Sequence, residues 1–211
     1  MKNLLILACL IWWGSRAAWA QSAELVLPTK EGHAQQLVAF QVELNAEYQD
    51  ATRSPLPAAA RRSFTGLPFF PVSYEACVVA RFVRDSSQAP FAMPTSTARQ
   101  ALYRKYGELH FRLAGQPHRL TVYQSLDLLH RQGYEDYLFV PFTDQTNGHT
   151  SYGGGRYLDL RLGQIQNGQL VLDFNRAYNP FCAYSSAYSC PIPPAENRLP
   201  VAIEAGVRSD H

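Results

Sequence analysis

Between Glu31 and Tyr48 the chain sets Leu37, Phe40, Leu44 and Tyr48 at three- and four-residue steps on a polar background. That spacing predicts an amphipathic helix over about 31–50 with a narrow apolar stripe. It has to end before Ser54-Pro55, because a residue preceding proline is pushed out of helical geometry. A short proline-started helical turn is expected through Pro57 to Ala60.

From Phe69 onward the apolar positions recur with a period of two, or in short runs bounded by turn residues. The strands predicted are Tyr74 to Val83, Ala101 to Leu113, His118 to Leu126, Tyr137 to Phe142, Arg156 to Leu162 and Leu170 to Asn175. Val201 to Ala205 is expected as a last strand. A hairpin turning at Ala114-Gly115-Gln116-Pro117 would place Leu109, Phe111, Leu113, Leu120 and Val122 on one face. A second hairpin is expected at Asn167-Gly168, a pair suited to positive φ at both turn positions. The fold class implied is mainly β: a small antiparallel barrel or sandwich, with one N-terminal amphipathic helix packed on it. The β-rich region would run over about 68–206.

The first twenty residues change the picture of where the chain works. Lys2 precedes the short apolar run LLILACLIWW, and Ala18-Trp19-Ala20 offers a small-x-small cleavage site. Residues 1–20 therefore read as a signal peptide and 21–211 as a single globular domain, exported to the periplasm or beyond the cell. A retained anchor, or lipidation at Cys9, is the alternative. The mature chain is expected to carry no membrane span, since the run falls short of the roughly 20 apolar residues required. Lys2 and Arg16 leave with the leader and no acid does, so 19 basic and 17 acidic residues become 17 of each. A neutral mature domain lacks the basic surplus of a nucleic-acid binder. Fourteen prolines and thirteen glycines favour short strands and turns over long helices.

Of the mature cysteines, Cys182 and Cys190 are close in sequence and read as a disulfide in an oxidising compartment. Free structural thiols, or a reactive thiol, are the other readings. Cys77, in the apolar stretch ACVVARF, reads as a small core residue. The histidines are scattered, His33 at the helix start and His149 in a loop, without the spacing of a metal site, so no metal and no cofactor is expected. Gly153-Gly154-Gly155 before Arg156 could form an anion-holding nest with a guanidinium beside it. A glycine run alone is a weak signal, and the reading favoured is a strand-bending bulge, with Arg156 paired to Asp159 or Asp173. Those two carboxylates are themselves an acid–base candidate. No G-x-S-x-G elbow, H-E-x-x-H or P-loop occurs.

The segments LPFFPV, YLFVPFTDQTNGHTSYGGGRYLDL and LVLDFNRAYNPFCAYSSAYSCPIPPAENRLPV resemble the bacterial and archaeal family DUF1684. Ser54-Pro55-Leu56 and MPTSTAR extend the resemblance over nearly all of the mature chain. The resemblance picks out Tyr152, Gly154, Arg156, Asp173, Asn175, Tyr178, Asn179, Cys182, Tyr184, Cys190, Pro194, Glu196 and Asn197. It implies a fold and brings no reaction, so no catalytic residue is assigned.

The functional expectation is a module that binds a small polar or anionic ligand. Tyr152, Gly153, Gly154, Gly155, Arg156, Asn175, Arg176, Tyr178, Asn179 and Tyr184 are the candidate contacts. Two other classes stay open: an enzyme using Cys182 or Cys190, or His149 with a carboxylate, and a structural or interaction protein of the cell envelope.

Overall fold

The computed structural model describes residues 25–87 and 89–209. The expected leader, with Cys9 and the cleavage site, lies outside the described residues. Helix α1 spans Lys30–Gln49 and starts where the Thr29 side chain accepts the Gly32 amide at 3.1 Å. Its buried side chains are His33, Leu37 and Tyr48, so the predicted stripe extends one turn further back, onto a histidine. A five-residue helix, α2 (Ala58–Arg62), follows Pro57 and buries nothing. No helix among the described residues is long and apolar enough to cross a membrane.

Seven strands build one antiparallel sheet: β1 (Cys77–Arg84), β2 (Pro90–Pro94), β3 (Gln100–Leu113), β4 (Gln116–Ser125), β5 (Tyr137–Phe142), β6 (Arg156–Arg161) and β7 (Gln169–Asp173). Their order is β6-β5-β4-β3-β1-β7, with β2 pairing the first half of β3. The sheet curls into a half-barrel, so the fold is mainly β with one long helix among the described residues. The β3–β4 hairpin turns on two residues rather than four. Ala114 and Gly115 both take positive φ, and Leu113 pairs directly with Gln116. The five residues predicted on one face all enter the main core, together with Val140, Phe142, Leu158, Leu160, Leu172 and Phe174. A bulge between Lys105 and Gly107 bends β3 where β1 crosses it. A Cβ at Gly107 would stand 2.5 Å from both the Phe82 ring and the Val83 carbonyl, so only glycine fits there.

Two sequence expectations fail, for physical reasons. Asn167 and Gly168 do make a tight two-residue turn, and Gln166 and Gln169 exchange both backbone hydrogen bonds. The ladder stops there because residues 162–164 form a 3-10 turn, with the Gln164 side chain accepting the Arg161 amide at 2.7 Å. The chain then crosses to the far edge, and β7 pairs with β1 instead of β6. The predicted strand at Val201–Ala205 does not form either. Its backbone groups are claimed elsewhere: the Ile203 amide by Asp144, and the carbonyls of Ile203 and Ala205 by Arg156. β2 was not predicted, since prolines at both ends disguise it; it lies at an edge, where proline is tolerated.

Candidate functional site

Because β6 and β7 are the two ends of the sheet, the half-barrel has a seam. Beyond β7 the chain makes a 3-10 turn at residues 174–176, which Asp173 caps by accepting the Asn175 amide. It then reaches β6, where Tyr178 and Tyr157 exchange backbone hydrogen bonds of 2.9 and 3.1 Å. Residues 173–178 thus lace one edge to the other, and α1 contributes the facing wall.

Two cavities open along this seam. The smaller, of about 380 Å³, is lined by His33 and Gln36 from α1, Cys77 from β1, Asp159 from β6, and Asp173 and Arg176. The larger, of about 720 Å³, lies among Phe40, Glu43, Glu47, Arg131, Tyr137, Asp159, Arg161, Arg176 and Tyr178. They meet at Asp159 and Arg176, and each has the volume of a small-molecule site.

In the smaller cavity His33 Nε2 lies 2.8 Å from Asp173 Oδ2, with both side chains almost sealed from water at 2 % and 8 % exposure. The other oxygen of Asp173 accepts two donors from Asn175, the backbone amide at 3.0 Å and the side-chain amide at 2.7 Å. Asn175 is itself locked to both backbone groups of Ser73. The His33 ring packs edge-on against Tyr74, and its Nδ1 has no hydrogen-bond partner among the described residues. Cys77 is 2 % exposed, and burial, reinforced by the negative charge of Asp173, pushes its thiol up to about 12. A thiol beside a His–Asp pair is the residue set of a thiol nucleophile. Here, however, burial and the Asp173 charge outweigh the nearby Arg176 cation, so the sulfur holds its proton at neutral pH, unlike that of a reactive cysteine.

At the junction, Asp159 Oδ1 accepts from the hydroxyls of Tyr137 at 2.7 Å and Tyr178 at 2.8 Å. The carboxyl keeps contact with water in the cleft, yet the protein around it raises its pKa, desolvation outweighing the two hydroxyl donors. Burial also pushes both tyrosines up, so they stay protonated donors. The Arg176 guanidinium stacks over Phe40 at 5.1 Å, and its Nε stands 3.9 Å from Asp173. A half-exposed cation held by an aromatic face is free to accept a further anionic partner.

The predicted contact residues divide between places. Arg176 and Tyr178 line the cleft, and Asn175 supports Asp173 from behind. Arg156 is wholly buried and faces no solvent: it grips Asp144 at 2.8 Å and the carbonyls of Ile203 and Ala205. Its partner is neither Asp159 nor Asp173. In the glycine turn, Gly154 lies under the Tyr152 ring, and Gly155, at φ 91°, fits against the Phe142 carbonyl and Pro193. The Gly155 amide is spent within the turn, on the Tyr152 carbonyl. Gly153 is exposed beside them.

Asn179 binds the Tyr184 hydroxyl and the Arg208 carbonyl, while Tyr184 packs on Tyr48, away from the cleft. Cys182 and Cys190 are free thiols, joined by the Cys182 amide donating to Cys190 Sγ at 3.1 Å; the expected disulfide is not present. The Tyr152 hydroxyl lies 4.0 Å from Cys182 Sγ, so these three form a separate group. His149 is exposed in its loop.

Sequence reasoning missed His33, Cys77, Tyr137 and Arg161 as lining residues. For His33 a signal existed, since it sits four residues before Leu37 on the apolar stripe. Asp159 and Asp173, named as a carboxylate pair, do line one cavity, though their strands are not neighbours.

Comparison with known proteins adds the following. The family model described as a protein of unknown function (DUF1684) matches residues 62–208. A solution structure of an uncharacterised protein from Haloarcula marismortui is 34 % identical and superposes with a TM-score of 0.66, covering 85 % of this chain and 96 % of its own. None of the curated proteins matches.

Proposed function

The chain belongs to the DUF1684 family, and from that premise we propose that its seam binds a small polar ligand in an exported domain. One observation carries the reading: two connected cavities converge on Asp159, held by two tyrosine hydroxyls, with Arg176 alongside. Arg176 offers a planar cation to a carboxylate, phosphate or sulfate. Asp159, retained against a desolvation cost, offers an acceptor to a hydroxyl or amine. Glu43, Glu47, Arg131 and Arg161 mix both signs around the larger cavity, which suits a polar or zwitterionic molecule better than a multiply charged anion. The sheet fixes Asp159 through β6, and the lacing segment fixes Arg176 and Tyr178, so the polar groups are pre-organised. Export rests on the leader, with Gln21 as the new N-terminus.

The test is calorimetry and thermal shift of the mature protein against sugars, sugar acids, amino acids, short peptides and inorganic anions. At a hundredfold excess over Kd a true ligand adds about 2.7 kcal/mol of stability, or roughly 5–10 °C for a domain of this size. Asp159→Asn and Arg176→Ala should each weaken binding of any hit while leaving the free protein folded. Hits that bind both variants as tightly as the parent would place the ligand elsewhere, and silence across the panel would remove the proposal. Mass spectrometry of protein recovered from the cell envelope should find Gln21 first; an intact Met1 would refute export by cleavage.

A further inference from the structure

His33, Cys77 and Asp173 come from three separate elements, yet one ligand atom of each lies within 4.8 Å of the others. They bring together an imidazole nitrogen, a sulfur and a carboxylate oxygen, the donor types that zinc selects. We infer that these three side chains hold a divalent zinc-like cation in the smaller cavity, with a fourth coordination position open to the cavity.

The surroundings are those of a metal site rather than of a packed core. All three side chains are buried, so the attraction between the carboxylate and a cation is weakly screened there. Asp173 has one oxygen fixed by two donors from Asn175, leaving Oδ2 directed at His33. Ligating carboxylates characteristically have such outer partners. The Asn175 clamp on Ser73 also holds the turn that leads into Cys77. His33 Nε2 and Asp173 Oδ2 stand 2.8 Å apart. Two ligands of one zinc, each about 2.0 Å from it, need only a slight separation from there. In the metal-free protein the His33 imidazole, the two Asn175 donors and the Arg176 guanidinium at 3.9 Å offset the buried carboxylate, and the cation would take the place of the His33–Asp173 hydrogen bond. The charge balances as well: binding breaks the Cys77 S–H bond, forms S–metal, and releases one proton to solvent. Thiolate and carboxylate then neutralise the dication. Three protein ligands and one open position are the arrangement of catalytic rather than structural zinc. The inference goes beyond ligand binding and does not rest on it, since the cation sits in the smaller cavity alone.

The experiment titrates the metal-free mature protein with cobalt(II), following the thiolate-to-cobalt charge-transfer absorption, and then displaces cobalt with zinc. One equivalent should saturate the signal, in the parent and equally in the Cys182→Ser/Cys190→Ser double variant. Cys77→Ser should abolish the band. His33→Gln and Asp173→Asn should weaken zinc binding at least as much as the roughly 10–100-fold typical of outer-sphere changes. Absence of a band in folded parent protein overturns the inference. So does a band that survives Cys77→Ser and disappears with the Cys182/Cys190 pair. X-ray absorption on zinc-loaded parent protein decides the matter even if the Cys77 variant does not fold. One sulfur at about 2.3 Å with nitrogen and oxygen at about 2.0 Å supports the site; two sulfurs, or none, exclude it.

Discussion

Removing the Arg156 side chain tests whether the glycine-rich turn serves the fold or a ligand. Its guanidinium is fully buried and donates to Asp144 Oδ2 at 2.8 Å, Ile203 O at 2.7 Å and Ala205 O at 2.5 Å. Arg156→Ala strands all three acceptors out of reach of water. Asp144 keeps partners on its other oxygen only, from the Thr146 amide and hydroxyl and the Ile203 amide. Deleting one member of a buried ion pair costs about 3–5 kcal/mol, because an uncompensated charge is left behind. Against a total of about 5–15 kcal/mol, that removes a large share of the stability. The melting temperature should fall by roughly 6–20 °C, at 2–4 °C per kcal/mol for this size. Arg156→Lys should fall between, since one ammonium cannot span the carboxylate and both carbonyls. Urea denaturation of Arg156→Ala, Asp144→Ala and the double variant closes a thermodynamic cycle. Strong non-additivity is expected, because the second deletion removes the charge that the first left unpaired. A loss of about 1 kcal/mol or less, typical of an exposed pair, or simple additivity, would refute the clasp.

Asn197 is fully buried, with its side chain bound to both backbone groups of Thr121 and to the Pro141 carbonyl, where β4 and β5 pair at one position only. Asn197→Ala should cost about 3 kcal/mol or more in urea denaturation, given about 1–3 kcal/mol for each of the three backbone groups it orphans. Asn197→Asp should be no better at neutral pH, since a carboxylate cannot donate to two carbonyls. Gly107→Ala should lose about 1–3 kcal/mol by overpacking against Phe82, and trimming Phe82 to leucine in the same chain should recover part of it. Asp159 has a raised pKa in the folded protein, so its contribution is fully present below the ordinary carboxylate range. That contribution is lost as pH rises through the folded value. Asp159→Asn, which keeps an acceptor for both tyrosines, should therefore gain stability relative to the parent over the interval above the ordinary carboxylate value of about 4. A flat or falling difference across that interval would contradict the desolvation argument.

Local pattern carried much of this fold. The stripe Leu37-Phe40-Leu44-Tyr48 and the face Leu109-Phe111-Leu113-Leu120-Val122 are periodicities that burial imposes on contiguous chain, so they can be read without a structure. The partner of β7 could not be read, because turn chemistry at Asn167-Gly168 fixes two residues and says nothing about where the strand goes next. The site was hidden for a related reason: His33 and Asp173 meet across 140 positions, and neither has a telling neighbour. Arg156 misled in the opposite direction. A glycine run does signal close approach of a partner, but the partners are the chain's own Phe142 carbonyl and Pro193, while Arg156 closes on Asp144, Ile203 and Ala205.

The seam has a consequence for the behaviour of the protein in solution. An open half-barrel ends in two rows of unpaired amides and carbonyls, each a template onto which another chain could add a strand. Tyr178 occupies part of the β6 row by pairing with Tyr157, and the segment from Asp173 onward keeps both edges from presenting a long flat strand. The residues that shape the cleft are therefore also those that keep copies of the protein from zipping together. Substitutions that widen the cleft would uncover the edges, so the size of the cleft and resistance to aggregation are traded against each other at one place.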